Sequence, residues 1–254
     1  MKRFFLYIST LVAVGVLVTV LAPESAWIAI PSLVLVATVL MAWGVVSLRS
    51  GLWYNARWRA QGSPMRVALT YDDGPDGEAT SALLDLLRER GVSATFFCVG
   101  ERVHAEPGLV ARLHEAGHMI GNHSQRHSRW TNLYSTARLR SELELCQAEI
   151  QAATGVRPRY YRPPFGLANH AIAPACRAVG LEIIGWQCRG LDLPGSDPTR
   201  AAERILNRVR PGGVILLHDG GRKPEAVMET TRRVLDGLDQ RGLEVVPLDE
   251  LLAE

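Results

Sequence analysis

Residues 69–77 read LTYDDGPDG, and they set two carboxylates, Asp72 and Asp73, between a short apolar run and a Gly-Pro pair. Adjacent residues on an extended strand point to opposite faces, so neighbouring aspartates can share a site only where the strand ends. Gly74 and Pro75 supply that end, because Gly-Pro breaks extended structure, while residues 67–71 ahead of them are apolar and partly β-branched. Both carboxylates then fall at the C-terminal edge of a strand, where α/β folds gather their chemistry. The same residue types also suit a plain solvated turn.

Outward from this stretch, short apolar runs alternate with helical periodicity. Strands are expected at 66–71, 94–98, 118–121, 158–161, 181–187, 213–217 and 243–247, with helices near 78–90, 106–116, 135–153, 168–178, 198–209 and 224–240. This alternation predicts an α/β domain over 65–254, a distorted (β/α) barrel of about seven parallel strands with its active residues on one rim. No repeat or low-complexity tract argues for a second globular domain among the 254 residues. A net charge of +2, with scattered basic residues, gives no case for nucleic acid.

The composition changes near residue 49. Residues 4–22 and 26–48 are uncharged runs of 19 and 23 residues, roughly 28 and 34 Å as helix and each long enough to span a bilayer. Only Pro23, Glu24 and Ser25 separate them, which predicts a transmembrane helical hairpin over 1–49 and a lipid bilayer as partner. A cleaved secretion signal is the alternative, disfavoured by the length of the first run and by Pro23 after the Val20-Leu21-Ala22 site. Lys2, Arg3, Arg49, Arg57 and Arg59 flank the hairpin, so both ends, and the globular domain, are expected on the cytoplasmic side of the inner membrane. Residues 50–64 read as a connector on the membrane surface. Cys98, Cys146, Cys176 and Cys188 show no metal-ligand spacing and fit buried thiols in a reducing compartment.

Further motifs carry chemistry. GNHSQRHSRW at 121–130 sets His123 and His127 four apart, which on one helical turn places two imidazoles on one face. With Asp73 they form a candidate Asp-His-His set for one divalent metal. His114-Glu115-Ala116-Gly117-His118 matches the zinc-protease pattern H-E-x-x-H, but Gly117 ends a helix and separates the two histidines. In YYRPPFG at 160–166, Pro163 and Pro164 fix the backbone, leaving the Phe165 N–H free for a ligand and Arg162 able to orient a carboxylate. GWQCRGLDL at 185–193 offers Arg189 and Asp192, and PGGVILLHDGG at 211–221 ends an apolar strand in His218, a candidate proton donor.

These pieces, in this order, resemble the polysaccharide deacetylases, the NodB-homology family 4 of carbohydrate esterases. TYDDGP at 70–75 is similar to the family's T-F-D-D-G-P, with Tyr71 for Phe, and HSQRH at 123–127 matches H-S-x-x-H. RPPFG at 162–166 is similar to R-P-P-Y-G, LLHD at 216–219 matches L-x-H-D, and the likeness runs from 66 to about 250. The resemblance implies a metal-dependent hydrolase that removes an N-acyl group, chiefly acetyl, from an amino sugar. By it, Asp73, His123 and His127 would hold the metal, usually zinc, with cobalt, nickel or manganese as other candidates. Asp72 would be the general base and His218 the acid that protonates the departing amine. Arg162 would orient Asp72, Asp192 would pair with His218, Leu216 would line the acyl pocket and the Phe165 N–H would help hold the oxyanion.

Leu193 departs from the family, which usually has Trp after the aspartate, and Arg189-Gly190 replaces residues that are commonly acidic there. The substrate is expected to be a wall or capsule polymer if the domain faces outward and a polyprenyl-linked amino sugar if it is cytoplasmic. A different class of function, a non-catalytic sugar-binding or scaffolding membrane protein on a decayed deacetylase fold, should have lost a ligand, the base or the acid.

Overall fold

A computed structural model of the chain describes residues 2–60, 62 and 65–253. Two long apolar helices open it, α1 (Lys2–Leu21) and α2 (Ala26–Val46), joined by a 3-10 turn at Pro23–Ser25. Both are long and apolar enough to cross a membrane, and almost none of the residues in their apolar spans is buried.

The globular part continues with β1 (Arg66–Asp72), α3 (Gly77–Glu89), β2 (Thr95–Cys98), α4 (Gly100–Ala105), α5 (Pro107–Glu115) and β3 (Met119–Asn122). Next come α6 (Thr136–Thr154), β4 (Tyr160–Tyr161), α7 (Ile172–Ala178), β5 (Glu182–Ile183) and β6 (Cys188–Arg189). The chain ends with α8 (Pro198–Leu206), β7 (Val214–His218), α9 (Pro224–Asp239), β8 (Glu244–Val245) and α10 (Leu248–Ala253). Strand pairing is parallel throughout, in the order β5-β4-β3-β2-β1-β7-β6, with β8 pairing Arg66 and Val67 at the start of β1. The result is a distorted half-barrel of seven parallel strands in series, clad in helices.

Alternation on β1 sorts its side chains. Val67, Leu69 and Tyr71 join the layer beneath the helices, with Leu83, Leu87, Phe96, Val110, Ile205, Leu217 and Val234. Full burial of each such leucine or phenylalanine is worth about 1.5–3 kcal/mol. Thr70 and Asp72 point the other way, toward a buried Arg162.

Several elements differ from the sequence expectation. The run 181–187 does not form one strand: β5 stops at Ile183, and β6 forms separately at Cys188. The cause is the segment 57–60, read above as a membrane-surface connector, which enters the open seam of the barrel. The Arg57 N–H donates to the Ile183 carbonyl and the Gly185 N–H to that of Arg57; the Val214 N–H donates to the Trp58 carbonyl and the Ala60 N–H to that of Gly212. Residues 61, 63 and 64 of this connector lie outside the described residues. The helix expected from 168 starts at Ile172, because the Asn169 carboxamide oxygen accepts the N–H groups of Ala171 and Ile172 and holds a turn there. Helices α4 and α10 are additional.

Candidate active site

The strand does end where the carboxylates stand. Asp72 closes β1, and Asp73 adopts φ 75°, turning its carboxylate away from the strand direction. Gly74 is required here: a Cβ on it would lie 2.3 Å from an Asp219 carboxylate oxygen.

Asp73, His123 and His127 converge, with one ligand atom from each lying within 4.8 Å of the others. Asp73 Oδ1 is 3.4 Å from His123 Nε2 and 3.1 Å from His127 Nε2. His123 Nδ1 donates to the Arg162 carbonyl at 2.7 Å, and since a carbonyl only accepts, this bond fixes the tautomer and leaves the Nε2 lone pair available to a cation. Burial alone would raise the Asp73 pKa, but the hydrogen bonds and charges of the two histidines outweigh it and hold the carboxyl well below the usual range. An anionic oxygen and two imidazole nitrogens on adjoining loops are the donor set a divalent cation such as zinc accepts, so these residues fit that group.

The two histidines do not ride on a helix as their spacing predicted. Residues 123–127 form a loop after β3, with Ser124 at φ 67° and His127 at φ 48°. Side chains hold this loop: Asn122 Oδ1 accepts the Ser124 N–H at 2.9 Å, and Ser124 Oγ accepts the His127 N–H at 3.1 Å. Such side-chain acceptors give the backbone an alternative to helix, which is why i, i+4 spacing misled here.

Asp72 lies on the inner side of this cluster. Its Oδ1 accepts from Arg162 Nη1 at 2.7 Å, and its Oδ2 is 3.9 Å from His123 Nε2. Arg162 is wholly buried; it also donates to Thr70 Oγ1 and to the Gly185 carbonyl, and its guanidinium stacks over the Phe97 ring at 4.1 Å. Burial lowers the Arg162 pKa and Asp72 opposes that shift.

His218 ends β7 and is grasped twice by Asp192. Its backbone N–H donates to Oδ2 at 2.8 Å and its Nδ1 to Oδ1 at 3.0 Å. Burial acts to lower the His218 pKa, yet the Asp192 hydrogen bond and charge win and raise it. Asp192 is itself positioned by Arg222 Nε, which donates to its carbonyl at 2.6 Å, and follows Leu191 at φ 54°.

The remaining sequence candidates lie around this mouth. Phe165 takes φ 60° in the turn Pro164–Gly166, its half-exposed ring 4.6 Å from that of His127. Leu216 is buried on β7, paired with Arg189. Leu193 is exposed and borders a cavity of about 500 Å³, lined also by Tyr71, Leu217, Val227, Thr231 and His218. His118 of the protease-like pattern is buried and accepts the Ala94 N–H, and burial pushes its pKa down to about 4.

Sequence reasoning missed three positioning residues: Asn122 and Thr70, described above, and Asp219, whose Oδ2 accepts from Thr80 Oγ1 at 2.6 Å in full burial. Thr70 and Asp219 stand inside the TYDDGP and LLHD motifs and Asn122 directly precedes HSQRH, which was the only signal.

The sequence pattern of the polysaccharide deacetylase family matches residues 59–184. The chain is 35% identical, over 189 residues, to the peptidoglycan-N-acetylglucosamine deacetylase PgdA of Listeria monocytogenes, covering 74% of this chain but only 39% of that protein. It is 32% identical, over 199 residues, to a peptidoglycan-N-acetylglucosamine deacetylase of Bacillus cereus, covering 77% of this chain and 92% of that one. Among solved structures it resembles, at a TM-score of 0.70 and 25% identity over 76% of this chain and 70% of the other, a mutant of a CE4 family pseudoenzyme with restored enzymatic activity. The chain belongs to the polysaccharide deacetylase family.

Proposed function

We propose that this protein is a membrane-anchored, metal-dependent hydrolase that removes the N-acyl group, chiefly acetyl, from an amino sugar of a glycan or of a lipid-linked glycan precursor. The observation that carries this reading is the register of the two central strands. Asp72 and His218 are direct partners in the β1–β7 pairing, beside the Asp73-His123-His127 cluster.

Asp73, His123 and His127 would hold the cation, which when bound polarises the amide carbonyl and acidifies water. Asp72, held by Arg162 Nη1, takes the proton of the attacking water. His218, kept protonated by Asp192, gives its proton to the departing amine nitrogen. Adjacent carboxylates divide the labour between ligand and base, and the Phe165 N–H and Leu216 are assigned to the oxyanion and the acyl group.

The anchor is assigned to α1 and α2, with Lys2, Arg3 and Arg49 favouring a cytoplasmic catalytic domain. A second reading is sugar binding without turnover, as in a pseudoenzyme of the kind from which the restored-activity mutant was made. Acetate release by the full-length protein from N-acetylated chitotetraose separates the two. Release that a chelator abolishes and zinc restores supports the hydrolase. Binding of the oligosaccharide without release supports the second reading.

A further inference from the structure

The membrane-proximal end of the helical hairpin is built into the rim that carries the candidate site. The Val45 carbonyl, at the end of α2, accepts the Ala168 N–H at 2.7 Å. Ala168 lies three residues past Phe165, a span of at most about 11 Å, and the Phe165 ring touches that of His127. Just beyond α2, Arg49 donates through Nε and Nη2 to the Trp186 carbonyl, and Trp186 packs against Gly166 so closely that a Cβ there would lie 2.2 Å from its ring. Leu48, Leu52 and Trp53 share an apolar cluster with Tyr134, Ala168 and Ile172, and Phe4 of α1 stacks on Trp53 at 4.9 Å. Both helices therefore meet the domain at the loops that follow β3, β4 and β5, on the same side as Asp73, His123 and His127.

The same rim exposes apolar side chains. Outside α1 and α2, the large exposed hydrophobic residues among those described are Met65, Trp130, Leu133, Leu145, Val156, Phe165 and Leu193. Trp130 and Leu133 are 60% and 76% exposed, and they lie between His127 and Tyr134, the latter packed on the anchor cluster. Phe165 and Leu193 flank the mouth. Exposed Trp and Leu beside the ends of apolar helices are what a water–lipid interface selects.

We infer that this rim lies against the bilayer, with Trp130 and Leu133 in its interfacial layer, and that the substrate is an amino sugar carried on a membrane lipid rather than a polymer in solution. The inference rests on the deacylase reading and narrows it. The polar layer on each side of the hydrocarbon is only about 5–8 Å thick, so a sugar one or two linkages from its lipid stands at the level of such a rim.

The test uses the full-length protein in phospholipid nanodiscs and has two readouts. All four native cysteines are buried, so an environment-sensitive dye can be placed selectively on Leu133→Cys, or on Val156→Cys, which lies at the start of the loop leading into β4 and away from the rim. With lipids spin-labelled near the headgroup, the dye at 133 should be quenched at least twofold more than the dye at 156; equal quenching overturns the inference. In parallel, deacetylation is compared on soluble N-acetylated chitotetraose and on a synthetic polyprenyl diphosphate bearing one N-acetylglucosamine. Trp130→Ser/Leu133→Ser should lower kcat/KM on the lipid-borne sugar tenfold or more and leave the soluble substrate within twofold. Equal effects on both substrates, or a wild-type preference for the soluble one, overturn it as well. Failure of the wild type on both substrates instead sinks the deacylase reading, and the quenching result stands apart from that outcome.

Discussion

Asp72 and His218 are neighbours across two hydrogen-bonded strands, each the last residue of its strand, and each is tied to an oppositely charged partner that does not touch the other pair. Parallel strands lie about 4.8 Å apart, so a carboxylate and an imidazole sit side by side. Arg162 Nη1 donates to Asp72 Oδ1 at 2.7 Å. Asp192 favours the protonated form of His218, and one rim thus offers a proton acceptor beside a proton donor.

This separation of roles predicts different losses for the adjacent aspartates. Asp73→Ala removes one of the three proposed ligand atoms and should abolish zinc binding measured by titration calorimetry. Asp72→Asn keeps all three ligands and an acceptor for Arg162, so it should bind zinc while turnover falls by a factor on the order of 10² or more. Zinc affinity lost in Asp72→Asn would show that Asp72 is itself a ligand.

The pH dependence follows from the His218–Asp192 pair. Burial alone would lower the His218 pKa, and Asp192 more than reverses this. The acid is competent while protonated, so activity should fall as pH rises through the raised value. Asp192→Asn removes the largest raising influence and leaves burial opposed only by Asp72 and Asp73, so the alkaline limb of the kcat profile should move to lower pH, with a loss on the order of tenfold at pH 8. An unmoved limb would assign it to another group.

Much of this site was legible in the sequence because strand ends announce themselves. Asp72-Asp73 before Gly74-Pro75, and His218 after an apolar run, are positioned by the same break from β-branched residues to glycine and proline. What escaped was set by contacts distant in sequence. The seam residues 57–60 show no strand pattern of their own, yet backbone groups of Ile183 and Gly185 on one side and of Gly212 and Val214 on the other bond them. The loop shape at His123–His127 depends on Asn122 and Ser124 acting as acceptors, which spacing does not encode. The motif residues Asp73, His123 and His127 do converge, although periodicity misjudged the local backbone.

Arg162 offers a test of interior electrostatics. It is wholly buried, and Arg162→Ala leaves the buried Asp72 carboxylate without its cation, a change that costs about 3–5 kcal/mol where such pairs have been broken. Its carbonyl also orients His123, but that contact is backbone and survives the substitution. Arg162→Ala should therefore lower the unfolding Tm clearly and depress turnover while retaining zinc stoichiometry. Wild-type Tm in that variant would mean that water replaces the guanidinium at little cost.

Asp219 links the site to stability. Its carboxyl is fully buried, and burial, opposed by the Thr80 hydrogen bond and reinforced by Asp73 and Asp72, pushes its pKa up to about 7. A carboxyl raised on folding contributes stability that is fully present below its unfolded value of about 3.8 and is lost as pH rises through about 7. The loss amounts to roughly 4 kcal/mol at most if the whole difference is realised. Asp219→Asn keeps an oxygen for the Thr80 hydroxyl and cannot ionise. In chelator, its Tm should therefore exceed that of the wild type at pH 8 and lose this advantage by pH 4. The sign of the crossover is the decisive feature, because a variant destabilised at every pH would show that the ionised carboxylate is not what weakens the fold at pH 8.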